Sequence, residues 1–332
     1  MKLQATLRIT CDAFNDEAEF GFSSTKSAMA SPQLIRLGTR GSQLAMWQSN
    51  WVNSELEKLG HQVELIRIKT EGDVATGSLA QIGGQGLFTK RLQVALQNDE
   101  VDLAVHSLKD LPTEDADGLK ISAIPMRETT SDAFVSSNYD RFENLPEGAI
   151  VGTGSVRRGA QLLHMRKDLQ IKDIRGNVDT RLKKLDSEGY DAIILAAAGL
   201  RRLGWEDRIT HDFHEDQLLP AVGQGALGLE TRNHDEATVS AVSKLNHSDS
   251  FHRAMAERIM LRTLFAGCLA PVGAKTKVVD GQLTLTGAVL SRDGQQKLIA
   301  EQTMAAESFK QLGEQVAQAL FDQGAEAILR SE

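Results

Sequence analysis

The chain has 332 residues, 41% of them hydrophobic, with 45 acidic residues against 37 lysines and arginines and a formal net charge of −8. That length can bury several cores, the acidic balance argues against a general nucleic-acid surface, and no apolar run reaches the ~18 residues of a membrane span. Two cysteines, Cys11 and Cys268, exclude a disulfide framework and point to a reducing compartment, so the chain reads as soluble and cytoplasmic.

Residues 1–32, MKLQATLRIT CDAFNDEAEF GFSSTKSAMA SP, differ from the rest of the chain. They lack the apolar core of a signal peptide, and Asp12, Asp16, Glu17 and Glu19 argue against an arginine-rich transit peptide. They read as a loosely ordered extension, with Met29, directly before Ala30, Ser31 and Pro32, expected as the natural start. The regular pattern then begins with LIRLG (34–38), a short apolar strand. Ser42 can N-cap a helix with the apolar stripe Leu44, Trp47, Trp51, Leu56 and Leu59, stopped by Gly60. VELIRI (63–68) is a second strand. A glycine-rich loop, GGQG (83–86), leads into a helix near 87–98, and VDLAV (101–105) is a third strand.

The middle third repeats this order. AIVG (149–152) is a strand, Ser155 caps a helix carrying Ala160, Leu162, Leu163 and Met165, and LQIKDI (169–174), a helix near 177–187 and DAIILAA (191–197) come next. Both halves open with a strand, Gly-Thr, a serine, an arginine and a helix. The last third differs: a helix near 250–265 runs into AGCLAPVG (266–273), Asp280-Gly281 and Asp293-Gly294 separate alternating strands such as QLTLTGAVL (282–290), and an amphipathic helix covers 308–322. The expected architecture is two α/β domains of like topology around a central cleft, with a smaller C-terminal α+β domain. The boundaries expected are 33–128 with 222–245 for the first domain, 129–221 for the second and 246–332 for the third.

Some motifs stand out from that frame. DLAVHSLKDLPT (102–113) ends an apolar strand in His106, Lys109 and Asp110, either a solvated turn before Pro112 or a site. His106 reads as a strand-end hydrogen-bonding group rather than a base. GQGALG (223–228) matches the dinucleotide fingerprint by letter but not by context, since Pro220 precedes it and LGLE after it alternates like a strand; a hinge or cleft-lining loop is expected. HDFHED (211–216) lacks supporting metal ligands and reads as a solvated turn, so no metal is expected.

The arginines carry more. Arg40, Arg157, Arg158, Arg175, Arg181, Arg201 and Arg202 all fall at expected strand ends or first helical turns. Arginine forks beside helix N-termini suit carboxylates or phosphates, so an anion-binding cleft with a polyanionic ligand is expected. Cys268 sits in a Gly/Pro loop at a domain edge. It is either a small buried hydrophobe or an accessible nucleophile and attachment point.

Taken in order, LGTRGSQLA, GGQGLF, AVHSLKD, GTGSVRR, RGNVDTR, LPAVGQGALG and AGCLAPVG resemble the hydroxymethylbilane synthase (porphobilinogen deaminase) family over roughly residues 33 to 330. The resemblance implies three domains, the first two periplasmic-binding-protein-like. It implies a transferase of tetrapyrrole (haem) biosynthesis that deaminates four porphobilinogen molecules and joins them head to tail into linear hydroxymethylbilane. The chain grows on a dipyrromethane cofactor held by a cysteine thioether, a position that Cys268 matches. Asp110 matches the catalytic carboxylate, with Lys109 beside it. Lys109, Asp110, Ser155, Arg157 and Arg158 match cofactor-binding positions. Arg40, Ser42, Phe88, Arg175, Arg181, Arg202 and Gln224 match positions for substrate or the growing polypyrrole chain, while Arg201 has weaker support. Six rings with two carboxylates each would bring about twelve negative charges into the cleft.

The chain departs from the family pattern at Gln81 and Gln85, where lysines are usual, at a slightly short GDVATGS segment, at Gly154 and at Leu269-Ala270. A monomer that binds neither nucleic acid nor membrane is expected. Two alternatives stay open: a non-catalytic binding module for small carboxylates, and a paralogue that assembles its cofactor but elongates poorly.

Overall fold

The computed structural model describes residues 32–68, 89–267 and 270–330. The expectations for the N-terminal extension, for Gln81, Gln85 and Phe88, and for Cys268 and Leu269 fall outside these residues.

The first lobe opens with β1 (Leu34–Thr39) and α1 (Gln43–Lys58). Ser42 caps α1 as expected, its Oγ accepting from the Ala45 N–H at 3.3 Å, and Gly60 follows the helix end at φ 89°. The buried face differs from the expected stripe: it is Gln48, Ser49, Val52 and Leu56, while Trp47 and Leu59 are exposed. The reason lies across the lobes. Leu44 faces Gly199 of the second lobe, and the Arg202 guanidinium lies 5.8 Å from the Trp47 ring.

β2 (Gln62–Arg67), α2 (Lys90–Gln97), β3 (Leu103–Ser107) and β4 (Leu119–Ala123) complete this part of the chain. β3 starts two residues later than expected. Asp102 is held outside it, donating its N–H to the Arg36 carbonyl at 2.8 Å and accepting Arg36 Nη2 at 2.7 Å.

The second lobe contains β5 (Asp132–Val135), β6 (Ile150–Gly152), α3 (Val156–Met165), β7 (Gln170–Lys172), α4 (Val178–Ser187), β8 (Ala192–Ala196), α5 (Ala197–Arg202) and β9 (His211–Asp212). The chain then returns to the first lobe as β10 (Leu227–Arg232). Among the described residues the first sheet has the order β2-β1-β3-β10-β4 and the second β7-β6-β8-β5-β9. In both, the first three strands are parallel and the fourth is antiparallel to its neighbours. The two lobes therefore share one topology, yet the fourth strand comes from opposite ends of each lobe's sequence. β10 does not alternate: all six residues are buried, as suits a central strand covered on both faces.

After β10, α6 (Glu236–Ser243) stays with the first lobe, its Ala241 and Val242 sharing a core with Leu37, Leu103 and Leu229. The C-terminal part comprises α7 (Ser248–Thr263), an antiparallel sheet of β11 (Val272–Val279), β12 (Gln282–Leu290) and β13 (Lys297–Ala305), then α8 (Phe309–Asp322) and α9 (Ala325–Arg330). Asp280 and Gly281, at φ 49° and 72°, make the expected two-residue turn between β11 and β12. The Asp293-Gly294 turn sits in a longer connection that docks on α3, where His164 Nδ1–H donates to the Gly294 carbonyl at 2.8 Å. Met260 of α7, Leu285 of β12 and Val316 and Leu320 of α8 share one core.

Candidate active site

β3 is buried along its length up to Ser107, and the chain then makes one 3-10 turn, Leu108–Asp110. The apolar side chain of Leu108 goes inward, which leaves Lys109 and Asp110 at the mouth of the strand. Their charged ends meet at 2.7 Å, with side chains 35% and 44% exposed, so the carboxylate is reachable by a ligand. The turn is backed by the returning chain. Leu108 N–H donates to the Ala226 carbonyl at 3.0 Å, and a Cβ on Gly223 (φ 72°) would lie 3.2 Å from the Lys109 nitrogen. Behind Ser107, His106 Nε2 is 2.9 Å from Glu230 Oε2 in the interior, a hydrogen-bonding group as expected.

The turn opens on a cleft of about 390 Å³ between the lobes, within the ~300–1,000 Å³ usual for small-molecule sites. The first lobe contributes Arg40, Ser42, Lys109 and Asp110, and the second Arg158, Arg175, Asp179 and Arg181. Cations outnumber carboxylates on its walls, which favours a ligand carrying several negative charges. Burial, together with the nearby cations Arg158 and Arg175, lowers the Arg181 pKa to about 10, while Asp110 and Asp173 act in the opposite sense. Arg181 also donates Nε–H to the Gly176 carbonyl at 2.8 Å, and Arg175 pairs with Asp173 at 2.7 Å.

The paired arginines are placed differently from a simple cleft wall. Asp132, fully buried at the start of β5, accepts Arg157 Nη2 at 2.7 Å and Arg158 Nη2 at 2.6 Å. Burial alone would raise the Asp132 pKa, but the two guanidiniums hold it below the ordinary value. Arg158 still reaches the cleft, whereas Arg157 turns to the Leu219 carbonyl. Gln224 donates to the Thr130 carbonyl at 2.6 Å and to Asp132 at 2.9 Å, and Ser155 caps α3 by accepting from the Arg158 N–H.

Arg201 and Arg202 lie in the last turn of α5, not at a strand end or in a first helical turn. Arg202 donates to the Gly225 carbonyl at 2.7 Å and faces Trp47; burial lowers its pKa to about 10 against the opposing pull of Glu128. Arg201 pairs with Asp212 at 2.6 Å. His211 and Asp212 belong to β9, so only the later part of HDFHED is the turn expected there.

One feature was missed by reading the sequence, and one expected hinge loop gains a physical reason. Asp132 gave no signal, because its arginine partners are 25 and 26 residues away. The glycines of GQGALG have a structural cause rather than a phosphate-binding one. A Cβ on Gly225 (φ 81°) would lie 2.5 Å from the carbonyl oxygens of Glu128 and Thr129, where the two chain crossings between lobes run side by side.

Two like α/β lobes around a cation-rich cleft, with a carboxylate at a strand end, define a two-lobed protein whose cleft suits an anionic ligand. Residues 35–240 match the family model "Porphobilinogen deaminase, dipyromethane cofactor binding domain", and residues 251–322 match "Porphobilinogen deaminase, C-terminal domain". The porphobilinogen deaminase of Pelobacter propionicus is 46% identical over 301 residues, 90% of this chain and 97% of that one. The Geobacter sulfurreducens porphobilinogen deaminase is 47% identical over 298 residues, 89% and 93% of the two chains. Among solved structures, the methionine binding protein MetQ aligns with a TM-score of 0.43 and 13% identity over 68% of this chain and 94% of that one. The chain belongs to the porphobilinogen deaminase family.

Proposed function

We propose that this chain is a hydroxymethylbilane synthase, condensing four porphobilinogen molecules head to tail into linear hydroxymethylbilane on a dipyrromethane cofactor carried by Cys268. The observation that supports this most is the Asp110 carboxylate, exposed at a rigid strand end in a cleft walled by Arg40, Arg175 and Arg181. The donor set fits the cofactor: two pyrroles with two carboxylates each suit a cleft with five cationic side chains, Arg40, Lys109, Arg158, Arg175 and Arg181. When bound, the cofactor supplies the pyrrole carbon to which the first unit is joined.

The protein's own groups then divide the work. Loss of ammonia from the aminomethylpyrrole substrate leaves a delocalised cation next to the ring nitrogen. Asp110 accepts the pyrrole N–H, stabilises that charge and assists proton transfer. Lys109 pairs with Asp110 and offers its ammonium to a substrate carboxylate. Arg158 holds cofactor carboxylates, with Arg157 and Ser155 fixing its helix from behind. Arg40, Ser42, Arg175 and Arg181 take the carboxylates of substrate and growing chain, joined by Phe88, Arg202 and Gln224 through family resemblance. We read residues 33–128 with 222–245, 129–221 and 246–332 as the three domains. The enzyme is cytoplasmic and monomeric in this reading, and its chemistry uses no metal.

The test is an intact mass of the purified protein with peptide mapping around Cys268. An excess of two deaminated porphobilinogen units on that peptide is expected. A bare thiol that gains no adduct on incubation with porphobilinogen would overturn the proposal.

A further inference from the structure

The Asp110 turn rests on a helix from the C-terminal part of the chain. Leu108 and Leu111 share a buried cluster with Ala254 of α7, and Phe251 and Met255 pack against it. One helical turn further along α7, Arg258 is 3% exposed. Its guanidinium donates to the two carbonyls that directly follow Asp110: Nη1 to Leu111 at 3.0 Å and Nη2 to Pro112 at 2.6 Å. A planar fork suits two consecutive carbonyls, and a single ammonium cannot satisfy both in the same way. On the other side of the turn, Leu108 N–H is bonded to Ala226 and Leu111 N–H closes back on the Leu108 carbonyl at 3.2 Å. The residue before Arg258, Glu257, accepts the Gly223 N–H at 2.9 Å, and Gly223 lies against the Lys109 nitrogen. One helix thus fastens the segment after Asp110 directly and supports the loop behind it.

We propose that Arg258 is a positioning residue for the Asp110 carboxylate. Its fork fixes the Leu111–Pro112 backbone so that Asp110 stands ready at the cleft without reorganising during the reaction. The inference rests on the proposed function, in which Asp110 is the catalytic group. A carboxylate that stabilises developing charge must be held in place beforehand, and a displacement of ~1 Å can cost ~10²-fold in rate. Substrate carboxylates are held by arginines elsewhere in the cleft, so loss of the fork should act on kcat and leave KM nearly unchanged.

The test compares holoenzyme carrying R258M, R258K and, as a control, M260A, whose side chain lies in the C-terminal core away from the turn. Thermal unfolding, kcat, KM for porphobilinogen and hydrogen exchange at the Leu108 and Leu111 amides are measured for each. The expected result for R258M is a fall in kcat of tenfold or more, KM within twofold of wild type and faster exchange at both amides. R258K should recover part of the loss, and M260A should keep kcat within twofold even when its unfolding temperature falls as far. The proposal is overturned if R258M loses no more kcat than M260A, if the loss appears in KM, or if exchange at the turn is unchanged. Wild-type holoenzyme that fails to consume porphobilinogen would count against the proposed function instead, while the exchange measurement would still decide whether Arg258 holds the turn.

Discussion

Replacing Arg127 with alanine should destabilise the protein by ~3–5 kcal/mol, because it leaves a buried carboxylate without its cation. Glu257 is 1% exposed and accepts Arg127 Nη1 at 2.7 Å, Arg127 Nη2 at 2.9 Å, the Thr276 hydroxyl at 2.5 Å and the Gly223 N–H at 2.9 Å. Burial by itself would raise the Glu257 pKa, and Arg127, Thr276 and Gly223 together hold it below the ordinary glutamate value. In the native protein this contribution is therefore present above the unfolded pKa of ~4.3 and is lost as pH falls through the lower folded value. Without Arg127, burial prevails and the folded pKa moves above the unfolded one. The deficit of R127A is then largest at neutral and alkaline pH and shrinks as acid protonates Glu257. With a urea slope of ~3 kcal/mol per molar, the midpoint should drop by about 1–1.7 M. Urea unfolding of wild type, R127A and R127A/E257Q at pH 8 and pH 5.5 is the assay. The amide of the double variant removes the stranded charge and should recover at least ~1 kcal/mol at pH 8. A deficit of R127A under ~1 kcal/mol at pH 8, or a double variant no more stable than R127A, would refute the reasoning.

Other perturbations test the same geometry. D110N should reduce kcat by ~10²-fold or more while the cofactor mass and unfolding temperature stay near wild type; retained turnover would remove Asp110 from its role. R181L should raise KM for porphobilinogen about tenfold with a smaller change in kcat, since it takes a half-buried cation from the cleft wall, and an unchanged KM would contradict this. G225A should cost ~2 kcal/mol or more, because its Cβ would press on two carbonyl oxygens at a positive φ; a neutral result in urea unfolding would mean the crossings can part. Asp102, whose pKa is lowered to about 2 by Arg36 and Arg232 against the effect of burial, contributes stability above the unfolded value of ~3.9 that is lost as pH falls towards 2. D102N should therefore flatten the acid limb of the stability profile.

What could be read from the sequence was local. Ser42 and Ser155 as helix caps, the Asp280-Gly281 turn and β12 at Gln282–Leu290 each depend on a few adjacent residues, and each was legible. Asp110 stood out as a carboxylate at the end of an apolar strand, and the structure puts it in one cleft with Arg40, Ser42, Lys109, Arg158, Arg175 and Arg181. What depended on distant partners was not legible. β10 lies between β3 and β4, over a hundred residues from either, and its burial on both faces erased the alternation expected of it. Arg157 and Arg158 looked alike as first-turn cations, but the chain brings Asp132 beneath both, and Arg158 alone also reaches the cleft. Trp47 looked like core because its spacing fits a buried stripe; a second lobe, invisible in the local pattern, gives it Arg202 as its neighbour.

The most direct measurement is the stoichiometry of one reaction. Purified wild-type protein is given porphobilinogen, and ammonia release, substrate loss and linear tetrapyrrole formation are tracked together. The account predicts four substrates consumed and four ammonia molecules released for each hydroxymethylbilane formed, with all three signals slowed together by ~10²-fold or more in D110N. Saturable binding of porphobilinogen by the wild-type protein without ammonia release would contradict it and make the cleft that of a carboxylate-binding module.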